Sequence, residues 1–549
     1  MGDALVSLDD PAALDASIVG VKAARLAAAR LGGYPVLPGF VVPRRHAEPA
    51  LEAGRTAVDA GRPAMARAAA RSAAVPADLI AALPAVARLG SRLVVRSSTR
   101  LDDDALWAGA FASYGDVAPD EALTAIRGCW ASLFAPDVIA RGSRMGTSAA
   151  QIGLAALIQP QVEPGLSGSA EATDAGVEIA AVAGAPGPLL GGWTAGIRLT
   201  VGPGGDIRGD GLPPRDAATV RRVAEVARGA RSEFGMSRVE WAATEGRVVL
   251  FQLSAGEVSA PAPPMLIPDV GGLDAYRRLA SMMLRRRGPL AEQLLAPWAG
   301  ALHGQVPSIP AAGSTAELFR LAGRLAEGLH DVVATGTDAG RAGLLDRLAR
   351  GDRALGARLV DVSLDPVTCG RLMGACDSIA RAFVDEGLLR APEEFWWQTT
   401  EWAAEAIAGR PVPASHRPSF DRFTGVLVGA TRATGVRRRA VPASPGLAFG
   451  RAVRVRGPED AARLRPGDVL VSEAALPAFA PLLWNASGLV TRQGSPGAHL
   501  FEVARALRRP AVASIDGAWP PGERSWAIGL DGTSGEVWVS EIDRDLQPR

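Results

Sequence analysis

The sequence predicts an α+β protein made of several domains, and three observations support that class. The chain has 549 residues, more than one hydrophobic core usually accommodates, so about three or four domains are expected. Its first and last parts alternate short strand-like runs with helix-like runs, whereas its middle part is helix-like throughout. Proline-rich stretches at 259–264 and 410–418 separate the three parts and are typical of linkers.

The composition excludes several classes of protein. The 59 Lys and Arg residues nearly balance the 58 Asp and Glu residues, which argues against a nucleic-acid partner. We interpret the arginine runs 285–287 and 437–439 as solvated helix or linker faces. Three scattered cysteines without a Cys-x-x-Cys pair indicate free thiols. No secretory signal and no apolar stretch of ~20 residues is visible, so we expect a cytoplasmic protein with no membrane partner.

The first part, residues 1–258, begins with a helix-like segment that holds Lys22, the only lysine of the chain. A proline-glycine turn at 35–39 follows, and strand-like runs occur at 92–96 and 248–252. Because arginine is used at every other basic position, Lys22 indicates a need for a compact point charge, as beside a polyphosphate. The other interpretation is a lysine retained by chance on a helix surface.

A second polar pair lies near the end of this first part. Glu240 and Gln252 fall on two strand-like segments joined by a turn around 245–246. A carboxylate and an amide oxygen that meet across a hairpin are suitable ligands for Mg²⁺. The alternative is an ordinary exposed hairpin.

The middle part, residues 265–436, has Leu and Ala at three- and four-residue spacing and predicts a helical domain. Trp396, Trp397 and Trp402 lie near its end. They are interpreted as core or interdomain packing, with an aromatic pocket for an acceptor molecule as the open alternative.

The last part, residues 441–549, contains short strand-like runs around 452–455, 468–471, 488–491 and 536–539. Apolar residues follow His499 at helical spacing, so His499 is expected at the start of a helix. A helix N-terminus favours an anion, and a neutral imidazole is a good nucleophile, which together suit a phosphorylated histidine. The other four histidines lack such surroundings and are expected to be structural or solvated.

Six segments stand out in order along the chain: 20–26, 94–98, 105–117, 157–162, 239–252 and 491–505. Together they resemble the phosphoenolpyruvate synthase and pyruvate phosphate dikinase family. In that family a Gly-x-Lys-Ala segment, a Val-Arg-Ser-Ser strand and an Ala-Gly turn precede a distant Thr-x-x-Gly-Gly-x-x-Ser-His. The resemblance implies an ATP-grasp-like nucleotide domain over 1–258 and a swivelling β/α phosphohistidine domain over 441–549.

The resemblance also implies roles for individual residues of this chain. His499 would accept the phosphoryl group, with Lys22 and Arg96 as further catalytic residues. Mg²⁺ would be held by Glu240 and Gln252. The residues implied to bind ATP are Lys22, Arg96, Ser97, Gly109, Gln159, Glu240 and Gln252.

Several positions depart from the family pattern. Arg238 stands two residues before Glu240, where an acidic residue is common, and Ser254 replaces an arginine two residues after Gln252. Ala110 and Ala112 replace a glutamine and an acidic residue after the Ala-Gly turn, and Ala498 replaces the serine before His499.

The order of the three domains resembles the rifampin phosphotransferases, whose middle domain holds the acceptor. Pyruvate-using members of the wider family continue into a large α/β barrel, whereas this sequence ends at Arg549, so pyruvate is not the expected acceptor. The resemblance implies an ATP-dependent phosphotransferase that forms AMP and phosphate through a phosphohistidine. Its expected acceptor is a small molecule, and the phosphoryl group is expected to be transferred to a hydroxyl of a natural product or antibiotic.

Two other functions remain open from the sequence. The chain could be an ATP-dependent biosynthetic ligase that activates a carboxylate or an amine. It could also be a noncatalytic nucleotide-binding protein, which the altered residues Arg238, Ser254 and Ala498 would permit.

Overall fold

The computed structural model describes residues 4–147, 151–255, 435–517 and 526–541, together with a few isolated positions between 380 and 432. The described parts mix helix and sheet, as the sequence predicts. The predicted helical domain over 265–436, with its three tryptophans, lies almost entirely outside the described residues.

The first part contains two antiparallel sheets. The five-stranded sheet has the order β1-β2-β5-β3-β4 and consists of β1 Val6–Ser7, β2 Phe40–Val42, β3 Leu93–Thr99, β4 Ser113–Val117 and β5 Leu154–Pro160. The six-stranded sheet has the order β11-β10-β6-β7-β8-β9 and consists of β6 Leu166–Thr173, β7 Gly176–Ala183, β8 Ile197–Val201, β9 Ile207–Arg208, β10 Arg238–Thr244 and β11 Arg247–Ser254. The predicted runs at 92–96 and 248–252 are therefore confirmed as strands.

Helices cover both sheets. They are α1 Ala16–Val19, α2 Val21–Leu31, α3 Glu48–Asp59, α4 Pro63–Ser72, α5 Ala77–Ala82, α6 Ala122–Ser132, α7 Pro136–Met145, α8 Gly187–Leu190 and α9 Ala217–Phe234. Short 3-10 helices include Arg100–Asp103 and Ala105–Trp107. In α9, Val220, Val223 and Ala227 recur at three- and four-residue spacing and are fully buried, so this face of the helix joins the core of the six-stranded sheet.

The two sheets of the first part meet at the proline-glycine turn. Val36 forms a bridge to Leu250 in β11, and the Leu250 N–H donates to the Pro35 carbonyl at 2.8 Å. The turn thereby fixes β11 and its neighbour β10 beside the five-stranded sheet, so that the strands of both sheets can border one cavity.

The last part is built on one eight-stranded sheet with the order β12-β19-β18-β14-β15-β16-β17-β13. Its strands are β12 Val436–Arg439, β13 Val441–Ser444, β14 Leu447–Arg454, β15 Val469–Ser472, β16 Gly488–Thr491, β17 Ala511–Ala513, β18 Trp526–Asp531 and β19 Glu536–Glu541. Strands β14 to β17 are parallel to one another, and the remaining pairs are antiparallel. The four strand-like runs predicted in this part are all confirmed.

Two helices accompany this sheet, α10 Pro458–Ala461 and α11 His499–Ala506. A longer 3-10 helix, Pro477–Trp484, packs against α11. The buried residues of α11 include Leu500, Val503 and Ala504, which are the positions that the helical spacing predicts. The prediction that His499 begins a helix is therefore confirmed.

The structure corrects the interpretation of the arginine run 437–439 as a helix or linker face. The run is neither helix nor linker but the edge strand β12, which pairs with β19 and starts the sheet before the expected domain boundary at 441. Charged side chains are tolerated here because one side of an edge strand faces solvent, and charge there discourages pairing with another chain. Arg437 forms an ion pair with Glu536.

No single helix in the described part of the chain is long and apolar enough to cross a membrane. One bent pair, Pro63–Ser72 with Ala77–Leu89, passes by length and composition only when both members are counted together.

Candidate active site

A cavity of about 690 Å³ lies where strands of the two N-terminal sheets face α11 of the last part. Its volume is in the usual range for small-ligand sites. The structure brings seven of the eight predicted site residues to its wall: Lys22, Arg96, Gly109, Gln159, Glu240, Gln252 and His499. Residues from the beginning and the end of the sequence thus border one space.

Lys22 enters the cavity from the first turn of α2. Gly20, with φ of 78°, precedes the helix and packs so closely on Ser98 that a Cβ would lie 2.4 Å from its carbonyl carbon. The Ser98 hydroxyl accepts a hydrogen bond from the Ala23 N–H at 3.1 Å, which caps the helix. Lys22 Nζ donates to the Ser97 carbonyl at 3.1 Å and lies 3.4 Å from an Asp102 carboxylate oxygen.

Arg96 connects the two N-terminal sheets across the cavity. It projects from β3, donates to the Phe251 carbonyl on β11, and lies 3.4 Å from a Glu240 carboxylate oxygen on β10. Its side chain is 15% exposed, so this ion pair is shielded from most of the solvent. The pairing places a cation beside the candidate metal ligand.

Ser97 is the predicted residue that the structure does not bring into the cavity wall. Its hydroxyl donates to the Ala112 carbonyl at 2.8 Å, and the side chain is buried. The reason is that side chains alternate between the two faces of a strand. Val94 and Arg96 on β3 line the cavity, so the side chain of Ser97, the residue after Arg96, points to the other face. Ser97 supports Lys22 through its backbone carbonyl instead.

Gln159 lines the cavity from β5 at the junction with the proline-glycine turn. Its amide nitrogen donates to the Leu37 carbonyl at 3.1 Å, and Leu37 also lines the cavity. The side chain is buried, and this hydrogen bond holds its orientation.

Glu240 and Gln252 are directly opposite each other in the register of β10 and β11. The hairpin turn has positive φ at both Glu245 and Gly246, the backbone expected of a tight two-residue turn. Both side chains line the cavity, which the hairpin prediction required.

This pair suits Mg²⁺ by the chemistry of its donors. One carboxylate and one amide offer hard oxygen ligands, and Mg²⁺ commonly takes one or two protein ligands and completes its shell with phosphate and water oxygens. The described residues contain no cluster of three or more His, Cys, Asp or Glu side chains that could hold a metal by themselves. A metal held by this pair would complete its coordination shell with oxygens from water or a ligand.

His499 faces this cavity from the first position of α11, after the extended residue Ala498. Its Nδ1 atom is buried and has no hydrogen-bond partner within the described residues. With Nδ1 inside the protein, Nε2 is the ring nitrogen left for a ligand. Gly109, with φ of 64°, lies directly opposite, and a Cβ there would come within 2.9 Å of both His499 Cβ and Pro477 Cβ.

Several charged residues that line the cavity were missed by the sequence reasoning, and two of them connect the first and last parts of the chain. Arg238 and Glu502 both line the cavity and form an ion pair at 2.6 Å between β10 and α11. Arg238 also donates to the Gly497 carbonyl at 2.5 Å. Arg238 stood out in the sequence only as a departure from the family pattern, and the signal for Glu502 is a carboxylate three residues after His499.

Glu502 is charged in this arrangement. Burial alone would raise its pKa, but the positive charge of Arg238, the neighbouring His499 and Arg505 outweigh burial and lower the pKa to about 2. Its second oxygen, Oε2, lies 3.7 Å from His499 Nδ1.

Arg141 provides a further contact between the first and last parts. This fully buried side chain donates to the carbonyls of Leu106 and Ala108 at 3.0 Å and to the Pro477 carbonyl at 2.8 Å. Burial lowers its pKa to about 10, so Arg141 is still a cation at neutral pH. These contacts hold the last part in one position, the seated position, in which His499 lies over the cavity.

Comparison with known families agrees with this arrangement. Residues 16–186 match the model of the pyruvate phosphate dikinase AMP/ATP-binding domain, and residues 464–535 match that of the PEP-utilising enzyme mobile domain. Both matches are to domains of PEP-utilising enzymes, the family that the sequence motifs resemble.

Among similar proteins is the phosphoenolpyruvate synthase of Aeropyrum pernix, 37% identical over 19% of this chain and 13% of the relative. The probable phosphoenolpyruvate synthase of Methanothermobacter thermautotrophicus is 30% identical over 26% of this chain and 21% of the relative. The phosphoenolpyruvate synthase of Pyrococcus furiosus is 27% identical over 26% of this chain and 18% of the relative. The chain thus spans only a small fraction of the length of these relatives.

Proposed function

We propose that this protein is an ATP-dependent phosphotransferase that works through a phosphohistidine at His499. The observation that carries the proposal is that His499 lines the same cavity as Lys22, Arg96 and the Glu240–Gln252 pair. The candidate nucleophile, cations and metal ligands that such a reaction needs therefore all border one cavity.

The reaction begins with the attack of His499 Nε2 on the β-phosphorus of ATP. The bond between this phosphorus and the oxygen of AMP breaks, and hydrolysis of the terminal phosphate releases inorganic phosphate, which leaves one phosphoryl group on His499. The seat of His499 at the N-terminus of α11 stabilises the added negative charge. Mg²⁺ bound by Glu240 and Gln252 would neutralise charge on the phosphate oxygens.

Lys22 and Arg96 would bind the phosphates by exchanging partners. Each cation now pairs with a carboxylate, Lys22 with Asp102 and Arg96 with Glu240. A triphosphate carries more charge than either carboxylate and would draw both cations toward it. Glu240 would then be free to bind the metal.

The domain arrangement supports transfer between two places. The cavity between the two N-terminal sheets favours an ATP-grasp-like nucleotide domain over 1–258, and the mobile-domain match favours a swivelling domain over 441–549. His499 would receive its phosphoryl group in the seated position and carry it away when the last domain moves. The proposed acceptor is a small molecule with a hydroxyl group, bound in the domain over 265–436.

The test is labelling of the purified chain with Mg²⁺ and ATP that carries its label on the β-phosphate. We expect acid-labile label on the protein, equimolar AMP, and loss of both with His499→Ala. His46→Gln is the control, because His46 is buried, pairs with Asp78 at 3.0 Å and does not line the cavity.

The other outcomes identify the other functions. Nucleotide binding without label on any residue would overturn the proposal in favour of a noncatalytic protein. ATP consumption that requires a carboxylate or amine co-substrate, again without labelled His499, would indicate a ligase.

A further inference from the structure

Three side chains form a line across the contact between the first and last parts of the chain. Arg238 on β10 lies 2.6 Å from Glu502 Oε1, and Glu502 Oε2 lies 3.7 Å from His499 Nδ1. One carboxylate on α11 thus faces a cation of the nucleotide-binding part with one oxygen and the imidazole with the other.

The contact between Glu502 and the imidazole of His499 is not yet a hydrogen bond. Nδ1 of His499 is buried without a hydrogen-bond partner in the described part of the chain, which is costly for a polar atom. The separation of 3.7 Å exceeds a hydrogen bond, but a small rotation of either side chain closes it. A carboxylate in that position accepts a hydrogen bond from Nδ1–H, which keeps the proton on Nδ1 and leaves the Nε2 lone pair free.

We propose that Glu502 is a positioning residue that holds His499 in the Nδ1–H tautomer, and that Arg238 fixes Glu502 for this task only when the last domain is seated. The proposal rests on the phosphotransferase function proposed above. It adds that seating of the domain also prepares the nucleophile, because the cation that orients Glu502 belongs to the other domain.

The position of Arg238 explains why both residues are needed. Glu502 is three residues after His499 on α11, so its carboxylate can reach the imidazole but can also turn away from it. Arg238 is itself anchored, with its guanidinium donating to the Gly497 carbonyl in the loop before His499. An anchored cation draws one oxygen of Glu502 to a fixed place and thereby directs the second oxygen toward Nδ1.

The experiment uses the full chain labelled with ¹⁵N in its five histidines. The ¹⁵N shifts of His499, assigned by comparison with His499→Ala, report which ring nitrogen carries the proton. We expect the Nδ1–H tautomer in the unaltered chain. Glu502→Gln and Arg238→Gln should both shift His499 toward the Nε2–H tautomer and slow labelling from ATP by roughly tenfold to a hundredfold.

Two conservative variants separate positioning from docking. Arg238→Lys keeps the charge and should restore most of the Nδ1–H tautomer and of the labelling rate relative to Arg238→Gln. Glu502→Asp keeps the charge but withdraws the oxygens from Nδ1, so it should resemble Glu502→Gln. Because Arg238 and Glu502 line the cavity, labelling rates are compared at saturating ATP, so that a change in ATP affinity does not enter the comparison.

An unchanged tautomer in Glu502→Gln and Arg238→Gln, with slower labelling, would overturn the proposal and leave the pair as a docking contact. The tautomer measurement needs no turnover, so it decides the role of Glu502 even if the unaltered chain fails to become labelled. Failure of labelling alone would count against the proposed function. If Glu502→Gln does not fold, the two Arg238 variants carry the same test.

Discussion

At the scale of a single residue, the structure places Lys22, which is unusual in the sequence, at the wall of the cavity. The only lysine of the chain lies at the first turn of α2, borders the cavity, and is 12% exposed. It is therefore not a lysine on a solvated helix surface, which was the alternative interpretation. Its ammonium group contacts a backbone carbonyl and a carboxylate at once, a geometry that suits a small, mobile cation better than a planar guanidinium.

The replacement Lys22→Met should therefore lower both ATP affinity and labelling of His499, by about tenfold or more, since a charged contact to phosphate is lost. Lys22→Arg should recover affinity more than rate, because its fork keeps the charge but not the position. Titration with ATP and a labelling time course measure the two effects.

Arg25 provides the matched control. It lies on the same helix, pairs with Asp103, and does not line the cavity, so Arg25→Gln should leave ATP affinity nearly unchanged. Equal losses in both variants would show that the charge of α2 as a whole matters and would contradict a specific role of Lys22.

The site residues that could be predicted from the sequence are those whose neighbours in sequence form a recognisable local pattern. His499 is followed by apolar positions at helical spacing, and Glu240 with Gln252 flank a turn, so both sites could be predicted from local pattern. Arg238 and Glu502 could not, because each becomes meaningful only through a contact between distant parts of the chain. Ser97 was misjudged for a simpler reason, since strand alternation already excludes its side chain from the face that holds Arg96.

At the scale of secondary-structure elements, the seat of α11 depends on the turn that contains Gly109. This turn follows the 3-10 helix Ala105–Trp107. Arg141 on α7 donates to one carbonyl of that helix and one carbonyl of the turn while also binding the Pro477 carbonyl. Three elements that are remote in sequence therefore define one contact surface, and a glycine at its centre lets them approach closely.

The replacement Gly109→Ala should prevent this approach. The added Cβ would lie 2.9 Å from atoms of His499 and Pro477, in a backbone region that side chains rarely adopt. We expect labelling of His499 to fall by about tenfold or more while ATP still binds, because the obstruction concerns the seated domain. Equilibrium ATP binding and labelling from ATP are the two measurements.

Gly146→Ala separates the steric effect from backbone strain. Gly146 has φ of 66°, close to the 64° of Gly109, but no heavy atom lies within 4 Å of its added Cβ. It should lose some stability and keep its labelling rate. A similar loss of labelling in both variants would assign the effect to strain and not to the contact with His499.

Strand prediction succeeded where apolar runs were bounded by Gly and Pro, as in β16 and β19, and failed for the charged edge strand β12. Hydrophobic periodicity and bounding turn residues indicate strands that are buried inside a sheet. An edge strand such as β12 is held largely by one neighbour, so its side chains need not carry a pattern.

At the scale of the whole molecule, the two described parts are joined by charged groups taken out of water. Arg238 with Glu502 and Arg141 with the Pro477 carbonyl both cross this contact, and Ala475 donates its N–H to the Gly192 carbonyl at 3.2 Å. Polar contacts of this kind favour one specific position of the last part while permitting its release, which the proposed domain movement would require.

The depressed pKa of Glu502 predicts how this contact responds to acid. The pKa falls from 4.5 to about 2 on folding, so the carboxylate stabilises the folded, seated state above pH 4.5 and loses this contribution as the pH falls toward 2. A shift of that size corresponds to at most about 3 kcal/mol.

Chemical unfolding of the unaltered chain and of Glu502→Gln at several pH values measures this contribution. The difference in free energy of unfolding should be largest near neutral pH and shrink below pH 4.5, because protonated Glu502 carries no more charge than glutamine. A difference that stays constant over this range would mean that Glu502 acts through its shape alone.

The enclosed position of Lys22 has a practical consequence for anyone who works with this chain. Apart from the α-amino group, its ε-amine is the only primary amine in the sequence. Amine-selective reagents therefore address one side chain, and that side chain borders the proposed phosphate site. Reductive methylation with ¹³C-formaldehyde would place a single NMR-visible reporter there, so that occupancy of the cavity could be followed without adding a cysteine or a fluorophore.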